Sequence, residues 1–235
     1  MKKANRALSQ NFMNNTAVID RVKIEMSMFK TGSMLEIGPG NGEFTSMLLG
    51  LGDIMLNLVE KDDILSEKLS AKFFEESRVK VINKDILDYD ILENAVFSSV
   101  PYSLSKEIIK KIVLSKSVNR AFLIVQKEFG EKLAFENMSS ISLFARTFFE
   151  VKKLFNISRN SFSPAPRVDS CFITMERKEH VKDNMNEYWL FLTRLTSNRL
   201  KKASSITEGS GEKRINDLSI EEIIKIYADK YIHTH

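Results

Sequence analysis

The sequence predicts an α/β fold in which helices cover both faces of a mostly parallel sheet. Short apolar runs alternate with stretches of helical spacing as far as about residue 177, which is the pattern of doubly wound sheets. One of these runs, Met34–Ile37, ends in the glycine loop Gly38-Pro39-Gly40-Asn41-Gly42, and a helix-compatible segment follows. An apolar run bounded by glycine is typical of a buried strand, and such a loop lets a ligand approach the backbone closely.

The predicted elements alternate in the order that this fold requires. The predicted strands are Met34–Ile37, Ile54–Val59, Val79–Ile82, Ala95–Ser99, Ala121–Val125, Glu150–Ile157 and Ser170–Met175. The predicted helices are Thr16–Phe29, Glu43–Gly50, a stretch containing Ile64, Leu65, Leu69 and Phe73, Ser105–Leu114, and a helical region that starts at Gln126. The strands are short and apolar, whereas Thr16–Phe29 has apolar residues at the three- and four-residue spacing of a helix.

The pattern changes after Arg177. Two helical segments follow, Glu187–Leu200 and Ile220–Tyr231, with the flexible loop Gly209-Ser210-Gly211 between them. We therefore expect two domains, an α/β domain over residues 1–177 and a small helical domain over residues 178–235.

The charge balance favours a polyanionic partner. The net charge of the 235 residues is +4 and the pI is about 9.0, which is mild evidence for such a partner. Basic residues without neighbouring acids occur at Lys2, Lys3 and Arg6, and again at Arg194, Arg199, Lys201 and Lys202. Solvated surface charge is the alternative interpretation for each of them.

The apolar runs and the cysteine content favour a cytoplasmic protein. No run approaches the ~20 apolar residues that span a bilayer, and the basic start has no apolar segment behind it, so neither a membrane partner nor a signal peptide is expected. The single cysteine, Cys171, lies in an apolar run, where it cannot form an internal disulfide and is expected to be buried. A reducing, intracellular compartment fits these features.

Special residues follow the predicted strands at their carboxyl ends, where this fold binds ligands. They are the glycine loop, Glu60, Asp85 and Ser99–Tyr102. Glu60 comes about 20 positions after the glycine loop, at the tip of the second strand, where an acidic side chain binds ribose hydroxyls. The combination predicts a nucleoside-cofactor site. A glycine-rich turn without a ligand is the alternative.

The glycine spacing argues against a dinucleotide. The chain has G-x-G-x-G with a proline inside, whereas the dinucleotide fingerprint is G-x-G-x-x-G. The histidines, His180, His233 and His235, all lie in the tail, so an NAD-dependent oxidoreductase would also lack a catalytic histidine in the α/β domain. The segment from Glu36 to Gly42, E-I-G-P-G-N-G, instead resembles the loop of S-adenosylmethionine-dependent methyltransferases. That cofactor has no pyrophosphate for a further glycine to accommodate.

The segment Ser99-Val100-Pro101-Tyr102 resembles the Asn/Asp/Ser-x-Pro-aromatic tetrapeptide of methyltransferases that act on exocyclic amines of nucleic-acid bases. Adenine's amino nitrogen is a poor nucleophile, because its lone pair is delocalised into the ring. Hydrogen bonds to a side-chain oxygen and a backbone carbonyl make it more reactive, and proline orients the backbone by fixing φ. An aromatic ring stacks on the base, which contributes roughly 1–3 kcal/mol. An ordinary strand-to-helix turn is the alternative.

Together these segments resemble the ribosomal RNA adenine dimethyltransferases over about residues 9–177, with weaker similarity beyond. The matching blocks are Ser9–Met13, Glu36–Thr45, Glu60, Asn83–Asp85, Ser99–Tyr102, Val125–Glu128 and Phe162–Ser170. The last block and the helical tail look more like the small-subunit enzyme than the erythromycin-resistance methylases. The resemblance implies a Rossmann-like S-adenosylmethionine-dependent methyltransferase sheet with a basic N-terminal arm and a small C-terminal helical, RNA-binding domain.

The resemblance also implies roles for individual residues. The implied cofactor-binding residues are Asn11, Met13, Gly38, Gly40, Glu60, Asp85 and Ser99. Asn11 and Met13 would close over the cofactor, and Gly38 and Gly40 would lie beside its amino-acid part. Glu60 would contact the ribose, and Asp85 would contact the adenine amine. Catalytic roles fall on Ser99, Pro101, Tyr102 and Phe162, the two rings enclosing the target base. No metal is implied, since the sulfonium is already activated and alignment supplies most of the catalysis.

The expected activity is N6-dimethylation of two adjacent adenosines near the 3′ end of small-subunit ribosomal RNA. The expected partner is the immature small subunit, and the protein is expected to be a monomer. One position departs from the family, which usually has asparagine where this chain has Ser99. The alternative is therefore a non-catalytic RNA-binding assembly factor with a methyltransferase fold. Intact Glu60 and Asp85 argue against it, since an inert factor need not hold the cofactor.

Overall fold

The computed structural model describes residues 11–135, 138–178, 184–197 and 213–231. The strands are β1 Phe12–Met13, β2 Thr31–Ile37, β3 Asp53–Glu60, β4 Val79–Asn83, β5 Ala95–Ser99, β6 Arg120–Gln126, β7 Phe149–Ile157, β8 Phe162–Ser163 and β9 Ser170–Arg177. The helices are α1 Thr16–Glu25, α2 Glu43–Leu49, α3 Asp63–Lys72, α4 Ser105–Leu114, α5 Lys127–Ala134, α6 Ser140–Phe148, α7 Met185–Ser197 and α8 Ile220–Tyr231.

Seven strands form one sheet in the order β4-β3-β2-β5-β6-β9-β7. The first five are parallel, whereas β9 runs antiparallel to both β6 and β7. Because β2 has β3 on one side and β5 on the other, the strand order reverses between β2 and β5. The crevice at the carboxyl ends of these two strands is where an open α/β sheet binds its ligand.

The central strands are buried on both faces, as expected for a parallel sheet between helix layers. In β6 every residue from Ala121 to Val125 is buried, and in β2 Met34 and Leu35 have no exposed surface. The two faces of the sheet each pack into a hydrophobic cluster, one with α1, α2 and α3 and the other with α4, α5 and α6. The predicted doubly wound α/β sheet is therefore present.

The helix predicted over Thr16–Phe29 ends earlier than expected, at Glu25. It begins at the cap residue Asn15, whose side-chain oxygen accepts the Val18 N–H. Beyond its end a turn, closed by the Phe29 N–H and the Met26 carbonyl at 2.8 Å, still places Phe29 in the core, edge-on to Phe122 at 6.0 Å. The apolar spacing predicted burial correctly, although the last residues are not helical.

Two features were not predicted. Helix α6 follows α5 after a break, and the short strands β1 and β8 pair with each other, with Phe12 opposite Ser163 and Met13 opposite Phe162. This pairing links the start of the described chain to a loop about 150 residues later.

The C-terminal helices pack on α6 through a cluster of aromatic rings. Tyr188 of α7 lies 5.9 Å from Phe148 and 4.9 Å from Tyr227 of α8, measured between ring centroids. These side chains belong to the same hydrophobic cluster as α4 and β6. The domain boundary at residue 177 stays a prediction.

Part of the predicted basic surface lies outside the described ranges. Arg194 is an exposed residue of α7. Lys2, Lys3, Arg6, Arg199, Lys201, Lys202 and the loop Gly209–Gly211 are not among the described residues. Within the ranges given above, no helix has both the length and the apolar composition that crossing a bilayer requires.

Candidate functional site

A cavity of about 170 Å³ lies at the carboxyl edge of the sheet, beside the point where the strand order reverses. Every residue to which the sequence assigned a site role lines it: Asn11, Met13, Gly38, Gly40, Glu60, Asp85, Ser99, Pro101, Tyr102 and Phe162. They come from both ends of the α/β region, and the sheet topology brings them together.

The glycine loop needs glycine for two different reasons. Gly38 and Gly40 both have left-handed backbones, with φ of +63° and +62°, which glycine adopts without steric cost. A Cβ on Gly38 would meet nothing within 4 Å, so this backbone faces the open cavity. A Cβ on Gly40 would instead lie 3.0 Å from the ring of Phe12. One glycine therefore leaves room for a ligand, and the other for the N-terminal strand.

Glu60, the last residue of β3, is in direct contact with the glycine loop, so the two sequence features that predicted a nucleoside-cofactor site lie together. Its carboxylate accepts the Gly40 N–H at 3.3 Å and the Asp62 N–H at 3.0 Å. The side chain is buried, at 7% exposure. This burial raises the pKa of Glu60, and the two backbone N–H groups oppose the shift. A carboxylate anchored in this way presents its remaining lone pairs in a fixed position.

Asp85 follows β4 and caps the short helical turn that begins at Ile86. Its carboxylate accepts the Leu87 N–H at 2.9 Å and lies 2.6 Å from the Lys61 ammonium. The hydrogen bond from Lys61 is the main cause of the lowered pKa of Asp85, so this carboxyl group stays ionised at neutral pH.

Glu36 also lines the cavity, although no role was predicted for it. Its side chain is 1% exposed and accepts a hydrogen bond from the Thr45 hydroxyl at 2.6 Å. Burial raises the pKa of Glu36 to about 8. The sequence feature that could have identified Glu36 is its position two residues before the first glycine of the loop. Phe12 was missed too, although it stands between two residues that were assigned.

The Ser99–Tyr102 segment connects β5 to α4. Ser99 is partly exposed at the end of β5, and the Val100 N–H keeps the chain on the sheet by donating to the Ile124 carbonyl at 2.9 Å. The Pro101 carbonyl accepts the Leu104 N–H at 2.9 Å, so the turn is closed by its own backbone.

Tyr102 is held by a partner that sequence reasoning missed. Its phenolic oxygen lies 2.7 Å from the Oγ of Ser170, a fully buried residue at the start of β9. Burial raises the pKa of Tyr102, so the phenol is neutral at physiological pH. The available signal was only that Ser170 ends the block Phe162–Ser170.

Residues 12–15 and residues 161–163 are joined by several hydrogen bonds. Besides the β1–β8 pairing, the Asn14 N–H donates to the Ser161 carbonyl at 3.0 Å, and the Asn15 amide donates to the Ser161 hydroxyl at 3.1 Å. Met13 and Phe162 are both buried, at 5% and 4% exposure. The arm predicted to cover a cofactor is therefore bonded to the loop predicted to contact a base.

A family model described as ribosomal RNA adenine dimethylase matches residues 1–227, nearly the whole chain. The chain belongs to this family. A ribosomal RNA small subunit methyltransferase A from Pelagibacter ubique (strain HTCC1062) is 34% identical over 200 residues, which cover 78% of this chain and 75% of the relative. A protein of the same name from Thermotoga petrophila (strain ATCC BAA-488 / DSM 13995 / JCM 10881 / RKU-1) is 30% identical over 239 residues, 96% of this chain and 91% of the relative. The predicted family is confirmed.

Solved structures confirm the fold of this adenine dimethylase. The crystal structure of a dimethyladenosine transferase from Plasmodium falciparum superimposes with a TM-score of 0.79 at 20% identity, covering 93% of this chain and 96% of the other. The Rossmann-like methyltransferase sheet predicted from the sequence is therefore correct, and S-adenosylmethionine is the cofactor of the family.

Proposed function

We propose that this chain transfers methyl groups from S-adenosylmethionine to N6 of two adjacent adenosines near the 3′ end of small-subunit ribosomal RNA. The observation that supports it most strongly is the single cavity where the glycine loop, two anchored carboxylates and the Ser99–Tyr102 turn meet. A nucleoside cofactor and an exocyclic amine would both find matching partners there.

The residues on the sheet side of the cavity fit the cofactor. The Glu60 carboxylate, held by two backbone N–H groups, is the acceptor for the ribose hydroxyls. The ionised Asp85 accepts from the cofactor's adenine amine, and open space at Gly38 admits its amino-acid part. Asn11, directly before β1, and Met13 of β1 close over it. When bound, S-adenosylmethionine supplies an electrophilic methyl group on a sulfonium.

The residues after β5 fit the target base. The Ser99 oxygen and the Val100 carbonyl accept the two N–H groups of the adenine amine, which localises the nitrogen lone pair for attack. Pro101 fixes the backbone between them and Tyr102, with φ of −57°. The rings of Tyr102 and Phe162 enclose the base, which has to leave its stack to enter the cavity. The catalytic effect is alignment of the amine with the methyl group.

Ser99 bears on the number of methyl groups transferred. Serine keeps the acceptor oxygen of the usual asparagine, but it is shorter and lacks the amide donors. Dimethylation requires the monomethylated amine to rebind with its remaining N–H directed at an acceptor. We propose that Ser99 suffices for both transfers.

A catalytic role is favoured over that of an inert assembly factor. The hydrogen bond between Glu60 and the glycine loop fixes a residue of the proposed cofactor side. The Tyr102–Ser170 hydrogen bond fixes a residue of the proposed base side. The small-subunit methyltransferases named among the relatives point in the same direction. The proposed setting is a cytoplasmic monomer acting on the immature small subunit.

The test uses mass spectrometry of small-subunit RNA from cells that lack this protein. We expect N6-dimethyladenosine to disappear from the 3′ region and to return when the wild-type chain is supplied, but not when the Tyr102→Ala chain is supplied. Persistence of the modification in the deleted cells would contradict the proposed function.

A further inference from the structure

Two lysine side chains of α4 lie near the indole ring of the same tryptophan. Lys106 and Lys110 stand four residues apart, and their ammonium nitrogens lie 5.6 Å and 5.0 Å from the ring centroid of Trp189 on α7. Both distances are within the range of cation–π attraction. The indole is itself fixed, because it is 9% exposed and packs edge-on against Phe144 at 5.2 Å. Trp189 is thus a rigid support for two charges.

The charge of this pair is not neutralised by carboxylates. Lys61, Lys132 and Lys153 each form an ion pair with an acidic side chain at 2.7 Å or less. In the described part of the chain neither Lys106 nor Lys110 forms such a pair. Like charges four residues apart on a helix repel each other. The indole ring attracts each ammonium group through its quadrupole but carries no negative charge that would offset this repulsion. An anion is the partner that would relieve this repulsion.

The pair lies close to the cavity along the length of α4. Helix α4 begins at Ser105, directly after the turn that holds Tyr102, and Leu104 and Ile108 line the cavity. At a rise of about 1.5 Å per residue, both lysines lie within the first two turns of this helix. Lys106 and Lys110 each stand two positions after a cavity-lining residue, so they lie about 200° around the helix from it, on the face that meets Trp189 of α7. An RNA strand whose base enters the cavity would reach them by crossing the N-terminal end of α4.

We propose that Lys106 and Lys110, supported by Trp189, form a binding surface for the phosphates that flank the target adenosine. The proposal rests on the proposed function, since it takes RNA as the substrate. Phosphate contacts fix the register of a nucleic acid without reading its sequence, so this surface positions the strand while the cavity selects the base. It also gives α7 a direct part in substrate binding.

The decisive experiment compares Lys106→Ala/Lys110→Ala with wild type in binding an RNA fragment from the 3′ end of small-subunit RNA. Exposed Lys23 of α1 and exposed Lys30, which directly precedes β2, provide the matched control Lys23→Ala/Lys30→Ala. Each phosphate contact on a single strand contributes about 0.7 to the slope of log affinity against log salt. We expect the first variant to lose roughly 1.4 from that slope, while the control keeps it. Lys106→Arg/Lys110→Arg should retain the slope, which separates charge from packing.

Trp189 gives an independent measurement, because it is the only tryptophan in the chain. Its emission should change when the RNA fragment is added to the wild-type protein and should return when salt is raised. In Lys106→Ala/Lys110→Ala the response should be weaker at the same RNA concentration. The affinity of each variant for S-adenosylmethionine, measured by calorimetry, should equal that of wild type.

Two failures can be told apart. Equal RNA affinity and equal salt slope in Lys106→Ala/Lys110→Ala and wild type would overturn the phosphate surface, even if both methylate ribosomal RNA. Absence of methylation by the wild-type chain on immature small subunits would overturn the proposed function instead. Loss of binding in the arginine variant as well would also refute a role based on charge.

Discussion

The phenolic hydroxyl of Tyr102 and the hydroxyl of Ser170 form a 2.7 Å hydrogen bond between residues 68 positions apart. It joins the turn after the parallel strand β5 to the first residue of the antiparallel strand β9. Ser170 is fully buried, so its hydroxyl has a fixed environment. The orientation of the Tyr102 ring is therefore set by a strand that was predicted only as a structural element.

Tyr102→Phe should slow methyl transfer while leaving cofactor affinity unchanged. The ring remains, but one hydrogen bond worth about 0.5–1.5 kcal/mol is lost, so a decrease of roughly 2- to 10-fold in single-turnover rate is expected. Tyr102→Ala should lower the rate much further, because stacking is lost as well.

Ser170→Ala should resemble Tyr102→Phe, and the double variant should be no slower than either one. Ser142→Ala is the matched control, since this buried serine has no hydrogen-bond partner for its hydroxyl among the described residues. Additive effects of Tyr102→Phe and Ser170→Ala would mean that the hydrogen bond does not orient the ring.

Glu60→Ala should weaken S-adenosylmethionine binding. A hydrogen bond to a charged group contributes roughly 1.5–3 kcal/mol, which corresponds to a loss of about 10- to 150-fold in affinity. Titration calorimetry would measure it, with Glu67→Ala on the exposed face of α3 as control. An affinity equal to that of wild type would show that Glu60 only anchors the glycine loop.

Ser99 variants should separate the rate from the product. Ser99→Ala removes the acceptor and should lower turnover, whereas Ser99→Asn restores the usual family residue and should at least preserve activity. Single-turnover reactions on immature small subunits, scoring mono- and dimethylated adenosine separately, would measure both. If only Ser99→Asn forms the dimethylated product, serine limits the reaction to one methyl group.

Stability should fall as pH rises because of Glu36. Its pKa is raised from 4.5 to about 8 in the folded protein, so the native state holds a proton that the unfolded chain releases. The contribution to stability is fully present below pH 4.5 and decreases by roughly 1.4 kcal/mol per pH unit until about pH 8. Glu36→Gln keeps an oxygen for the Thr45 hydroxyl and cannot ionise. Urea unfolding from pH 5 to 8 should therefore show a flatter pH dependence in this variant, and equal slopes would contradict the shifted pKa.

The sequence predicted the sheet well, because buried strands leave local signals. Apolar runs identified the strands. The spacing of about 20 residues between the glycine loop and Glu60 indicated that the two lie close together, and the structure contains a hydrogen bond from the Gly40 N–H to the Glu60 carboxylate. Helix α6 was missed because it has only nine residues, fewer than the window over which a helical spacing of apolar residues can be recognised. Ser170 and Trp189 were missed for another reason: their partners lie far away in the chain, and neither contact leaves a local pattern.

The two-residue pairing of β1 with β8 should couple the binding of the two proposed substrates. Met13 belongs to the proposed cofactor side, Phe162 to the proposed base side, and they stand opposite each other in the same ladder. Any free-energy cost that one ligand pays to order this ladder is spared to the other, and such coupling is equal in both directions. A cofactor analogue would thereby change RNA affinity by the same factor as RNA changes the affinity of the analogue. An inhibitor designed for the cofactor cavity would be selective for the RNA-bound or the RNA-free enzyme according to how it contacts β1.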